Sequence, residues 1–211
     1  MIRAVVFDCD GVLVDSEPLA ARAWAEAIAV YGYEITDADH DACLGITEDA
    51  MHRYLSERVD LPSYEAVIAE VDAIRFVLFD AHLEAFPDAV ETVRALALEG
   101  IPLAVASSSR RFALDRKLAM FDLTRYFDAI VAGDQVARGK PAPDVYREAA
   151  AGLGIEPKHC LAVEDARTGA ESATAAGMRV VVVSRSGSMM PPYATVSSVD
   201  SFEIRSWMGL G

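Results

Sequence analysis

The feature that most constrains this chain is the alternation of short apolar runs with amphipathic helical runs that begins after Phe86-Pro87-Asp88. The spacing predicts helix 89–99, strand 101–106, helix 111–120, strand 129–131, helix 144–153, strand 161–163, helix 168–176 and strand 179–183. Strands separated by helices of this length form a parallel sheet covered on both faces, with right-handed crossovers. Ile2 to Phe7 is another β-branched apolar run, closed by acids and Gly11, and reads as the first strand of the same sheet.

Between that strand and the alternating part, the pattern is helical throughout. Leu19, Trp24, Ile28 and Tyr31 share one helical face over 16–31, with Ser16 or Asp15 as cap, and helical spacing continues over 36–43, 47–59 and 63–80. The expected fold is therefore α/β. A Rossmann-like parallel sheet core of residues 1–15 and 84–211 is flanked by helices, and a small all-α domain of residues 16–83 is inserted after the first strand. An insertion there belongs at the carboxyl edge of the sheet, where open α/β sheets bind ligands. The tail after Ser186 is rich in Ser, Pro and Met and offers only a short strand near 194–196.

Composition narrows the partners. The 211 residues are 53% hydrophobic and 25% charged, the balance of a globular protein with a sizeable core. A formal charge of -14 opposes general binding to nucleic acid or to anionic membrane, which draws on clustered Lys and Arg. Cys9, Cys43 and Cys160 are odd in number and far apart, so neither a disulfide framework nor a CxxC metal motif is expected, and a cytoplasmic location fits. The apolar run at the N-terminus is too short for a signal peptide, and no membrane-spanning stretch follows it. His52, His82 and His159 are scattered and suggest no metal cluster; Trp24, Tyr31 and Tyr54 suit packing in amphipathic helices.

Chemistry collects at the ends of the predicted strands. Asp8 and Asp10 follow the first strand two residues apart, so on a nearly extended chain they point to the same side. Their repulsion asks for a cation, and oxygen ligands suit a hard ion such as Mg2+. Ser107 closes the second strand and opens Ser107-Ser108-Ser109-Arg110, whose hydroxyls and N–H groups suit phosphate oxygens. Lys140 sits in Gly139-Lys140-Pro141-Ala142-Pro143, a loop stiffened by two prolines, where a cation can face a phosphate or a carboxylate. Glu164-Asp165 ends another strand. Each group has an ordinary explanation as turn, cap or surface residue. All four nevertheless fall at the carboxyl ends of parallel strands, the common edge of one active site.

In that order, DCDGVLVDSEP, VASSS, GKPAPD and VEDARTG resemble the four motifs of the haloacid dehalogenase superfamily, closest to the branch of β-phosphoglucomutase and the sugar-phosphate phosphatases. The resemblance spans nearly the whole chain and identifies the helical insertion with that family's cap domain. It implies a phosphoric monoester hydrolase in which Asp8 attacks phosphorus to give an aspartyl phosphate. Asp10 would protonate the leaving oxygen and then activate water, while Ser107 and Lys140 hold the transferring group. Mg2+ would be bound by Asp8, the Asp10 main-chain carbonyl, Asp165 and Glu164. Ser108, Ser109 and Arg110 of the core, with Gly45 and Glu48 of the cap, are the implied substrate-binding residues.

Departures from the family pattern bear on the substrate. Ala20 stands where mutase-type sequences carry a histidine, and Glu48 stands where the mutase pattern has a phosphate-binding arginine. Both changes favour hydrolysis over a β-phosphoglucomutase-like mutase, although Ser109 and Arg110 match positions that contact a second phosphate there. A phosphoaccepting receiver domain also groups acids, a hydroxyl and a lysine around a parallel sheet with magnesium, but needs neither the Asp8–Asp10 pair nor the helical insertion. The expected partner is a small phosphorylated metabolite, sugar or polyol phosphate by preference, with the chain a monomer or weak homodimer.

Overall fold

The computed structural model describes residues 1–43, 47–185, 187–188 and 190–209. By its internal contacts the chain falls into two compact units, Met1–Asp15 with Ala85–Gly211, and Ser16–Glu84.

The first unit opens with β1 (Ala4–Phe7). The second carries α1 (Glu17–Ala29), α2 (Asp37–Cys43), α3 (Glu48–Ser56) and α4 (Tyr64–His82), with no strand among its described residues. The first unit resumes with α5 (Pro87–Leu98), β2 (Leu103–Ala106), α6 (Arg111–Met120), β3 (Ala129–Val131) and α7 (Asp144–Gly152). It continues with β4 (Cys160–Glu164), α8 (Arg167–Ala176), β5 (Arg179–Val183), β6 (Ala194–Val196) and α9 (Ser201–Met208). The six strands form one sheet in the order β3-β2-β1-β4-β5-β6, with every pair parallel. The alternation predicted from the sequence is thus present, with ends shifted by one or two residues. Helix α5 starts at Pro87 because proline is well placed in a first helical turn, where its missing N–H costs nothing.

Strands β1, β2 and β4 are buried along their whole length, and β5 along all but Arg179, as expected of parallel strands covered on both faces. On one face Ala4, Val6, Ala104, Ala106 and Ala162 meet Tyr146 and Ala149 of α7 and Ala170 and Ala173 of α8. The small strand side chains let both helices approach closely.

Register fixes which residues share the sheet edge. Phe7 pairs with Val105 of β2 and Val163 of β4, so Asp8 stands level with Ala106 and Glu164, and Ser107 follows one step on. The ladder continues past the strand ends: the Asp8 N–H donates to the Val163 carbonyl at 2.9 Å and that of Ser107 to the Val131 carbonyl at 3.0 Å.

Helix α9 was not expected. Its signals are short: the Asp200 carboxylate accepts from the Glu203 N–H at 3.1 Å in a cap, and Ile204 and Met208, four apart, are buried. The tail is also held by Asp88, whose carboxylate accepts from the Val199 N–H and from Arg185.

The helical unit has its own core, in which Trp24, Ala27 and Ile28 of α1 meet Leu55 of α3 and Val67, Ile68 and Val71 of α4. Buried Asp39 anchors it, accepting from the hydroxyls of Tyr33, Thr36 and Tyr54 and the Thr36 N–H, and pairing with Arg58.

Candidate active site

Asp8 leaves the centre of the sheet with only 8% of its surface exposed. Lys140, itself only 6% exposed along its side chain, lies 2.9 Å from Asp8 Oδ1 and 2.6 Å from Glu164 Oε1. The lysine of the proline-stiffened loop, which the sequence marks as a cation able to face a phosphate or a carboxylate, is a buried cation bridging two buried carboxylates. Glu164 is fully buried and also accepts the Tyr146 hydroxyl at 2.5 Å on Oε1 and the Asp165 N–H at 3.2 Å on Oε2.

Burial drives the electrostatics. It pushes the Asp8 carboxyl up to about 7, against the pull of Lys140 and with further upward pressure from Glu164 and Asp10. Burial disfavours the charged Lys140 as well, but Asp8 and Glu164 outweigh it and raise its pKa, so the ammonium is retained. Burial and the nearby Asp10 carboxylate raise the Cys9 thiol far above its ordinary range, so Cys9 is an inert core residue between two reactive acids.

Two glycines make room for the acids. Gly11 has φ +72°, and a β-carbon on it would lie 1.9 Å from Asp165 Oδ2. A β-carbon on Gly169 would lie 1.9–2.2 Å from the Glu164 carboxylate oxygens. The result is a set of three carboxylates, Asp8, Glu164 and Asp165, with one oxygen each inside a 4.8 Å span. These hard oxygen donors fit a divalent ion, and the burial pressure on Asp8 is what such an ion would relieve.

Asp10 points elsewhere. Its oxygens are bound by Lys117 of α6 at 2.5 and 2.7 Å, and Oδ2 accepts the Ser109 hydroxyl at 2.9 Å. Ser107 is fully buried, and its Oγ accepts the Ser109 N–H at 3.1 Å. Ser108 and Arg110 are exposed on the same loop. Gly133 backs that loop, donating to the Ser109 carbonyl at 2.9 Å, and a β-carbon there would meet the Ser108 carbonyl oxygen at 2.4 Å.

Asp8, Asp10, Ser107, Ser109, Lys140, Glu164 and Asp165 are therefore gathered at one sheet edge. Of the two implied substrate residues in the helical unit, Gly45 lies outside the described residues. Glu48 starts α3 and pairs with Arg75, which also binds Asp72 at 2.8 Å. Sequence reasoning missed Lys117 and Tyr146. Lys117 was detectable, since a lysine between Leu114 and Leu118 interrupts the apolar stripe of α6. Tyr146 looked like one more apolar residue of α7.

A model of the haloacid dehalogenase-like hydrolase family matches residues 5–183. Hexitol phosphatase B of Escherichia coli is 35% identical over 185 residues, which are 86% of this chain and 83% of that protein. The phosphorylated carbohydrates phosphatase of Thermotoga maritima is 35% identical over 179 residues, 84% of this chain and 82% of its own. Among solved structures, CbbY from Rhodobacter sphaeroides in complex with phosphate is similar with a TM-score of 0.81 at 27% identity, covering 94% of this chain and 95% of that one.

Proposed function

The chain belongs to the haloacid dehalogenase-like hydrolase family, and from that premise we propose that it is a phosphatase acting on a small phosphate monoester, sugar or polyol phosphates foremost, through an aspartyl phosphate on Asp8. The observation that carries the reading is the buried Lys140 ammonium bridging Asp8 and Glu164, which keeps a nucleophilic carboxylate and a phosphate-facing cation in one place.

In the proposed reaction an Asp8 oxygen attacks phosphorus as the P–O ester bond breaks, and Asp10 gives its proton to the leaving oxygen. Asp10 then takes a proton from water, whose oxygen attacks the phosphorus of the acyl phosphate, releasing phosphate and restoring the Asp8 carboxylate. Ser107 and Lys140 hold the phosphoryl oxygens through both steps, since phosphoryl transfer depends mainly on positioning and charge neutralisation. Asp8, Glu164, Asp165 and the Asp10 main-chain carbonyl are the groups assigned to Mg2+, which when bound supplies positive charge against the phosphate oxygens.

The helical unit Ser16–Glu84 is assigned, as the cap domain of the family, to selection of the leaving group. Within it, Arg75 is paired with Glu48 and Asp72, and the sequence grounds for favouring hydrolysis over phosphoryl return are Ala20 and Glu48, which stand where mutase-type sequences carry a histidine and a phosphate-binding arginine. The test is a panel of hexose, pentose, polyol and glycolate phosphates with Mg2+, read as released phosphate. Turnover of at least one sugar or polyol phosphate is expected. Hydrolysis of none of them would overturn the reading.

A further inference from the structure

Among the described residues, the buried ammonium of Lys117 remains once the roles above are assigned. Helix α6 turns Leu114, Lys117 and Leu118 inward at the i, i+3, i+4 spacing of a core-facing stripe. Lys117 thus occupies a position where leucine would suffice, and its side chain is 4% exposed. A buried ammonium is costly unless paired and hydrogen-bonded. This one is held by three acceptors: Asp10 Oδ1 at 2.5 Å, Asp10 Oδ2 at 2.7 Å and Ser109 Oγ at 2.9 Å. Ser109 Oγ donates in turn to Asp10 Oδ2 at 2.9 Å, closing a ring of hydrogen bonds that joins the loops after β1 and β2 to α6. Lys117 and Asp10 thus form an ion pair inside the ring.

We propose that Lys117 is the positioning residue of Asp10, fixing the orientation in which that carboxyl meets the leaving oxygen and then the water by holding both its oxygens and Ser109 Oγ together. This rests on the acid and base role given to Asp10 above. Asp10 keeps 31% of its side chain exposed, so one face stays open to substrate while Lys117 grips the other. A carboxyl without that grip samples other rotamers and is correctly placed for a smaller share of encounters. Lys117 has no need to touch the substrate for this effect.

The test compares the full chain with its Lys117→Met and Lys117→Gln variants, each alone and combined with Asp10→Asn, on the best substrate of the panel with Mg2+. A placed acid supplies roughly a hundred- to ten-thousandfold, so Lys117→Met should lower kcat about ten- to a hundredfold, with KM within about threefold. The Asp10→Asn/Lys117→Met double variant should be within about threefold of Asp10→Asn alone, because the two changes remove one function. A kcat within about twofold of wild type in folded Lys117→Met, or an equal fractional loss in both Asp10 backgrounds, would overturn the proposal. Circular dichroism reports folding, and if the methionine variant does not fold, the same comparisons are decided on Lys117→Gln, which keeps a polar donor. Full activity of Asp10→Asn, or a wild type inactive on every ester, would overturn the underlying reading and the proposal with it. Both are observed with Lys117 intact, so the two failures are told apart.

Discussion

Replacing Tyr146 by phenylalanine removes one oxygen atom from the centre of the site, and its cost can be worked from the contacts. The hydroxyl donates to Glu164 Oε1 at 2.5 Å, and Glu164 is fully buried, so no water can take the donor's place. The carboxylate keeps Lys140 at 2.6 Å on the same oxygen, so it is weakened without being left unpaired. A hydrogen bond to a charged group contributes about 1.5–3 kcal/mol, and in a chain of this size each kcal/mol moves the melting temperature by about 2–4 °C. Thermal unfolding of Tyr146→Phe should thus begin about 3–12 °C lower than wild type. Glu164 is also assigned to Mg2+, and loss of a group that orients a metal ligand commonly weakens affinity about ten- to a hundredfold, which calorimetric titration with Mg2+ would measure. An unchanged melting temperature together with unchanged Mg2+ affinity would refute the claim that Tyr146 holds Glu164 in place.

The remaining predictions concern metal, acid and fate of the phosphoryl group. Chelation should abolish phosphate release and added Mg2+ restore it, and Asp165→Ala should raise the Mg2+ requirement; full turnover in excess chelator would exclude the assignment. The Asp39 carboxyl is held below its usual range, first by the Thr36 hydroxyl and N–H and also by Tyr33 and Tyr54. A depressed folded pKa contributes stability above the unfolded value of 3.8 that is lost as pH falls below it. The melting-temperature gap between wild type and Asp39→Asn should therefore be widest near neutral pH and close below 3.8; a gap independent of pH would contradict the network. A hexose 1-phosphate, even primed with the bisphosphate, should yield inorganic phosphate and no accumulated 6-phosphate; accumulation of the isomer would show that phosphoryl return wins.

The fold was legible because parallel βα units write themselves twice, in apolar strand runs and in helical spacing. The acids, serine and lysine at the sheet edge could be found because they follow strand ends directly, where chain order alone sets their place. Lys117 and Tyr146 were harder, since each acts from inside a helix and across more than fifteen residues of chain: Lys117 on Asp10, Tyr146 on Glu164. Their partners are set by tertiary packing, which neither propensity nor local spacing encodes. Helix α9 was missed for a related reason. One cap at Asp200 and two buried side chains are too weak a pattern to stand out from a tail of Ser and Pro, and the segment is also held by packing, with α9 against α5.

Trapping the covalent intermediate tests the central claim most directly. The protein is mixed with Mg2+ and its best substrate, quenched within the first turnovers and reduced with borohydride, which converts an aspartyl phosphate to homoserine, and the peptide around Asp8 is sequenced by mass spectrometry. The account predicts homoserine at position 8, and none in an Asp8→Asn variant that also releases no phosphate. Homoserine at another aspartate, or steady phosphate release with position 8 never modified, would contradict it.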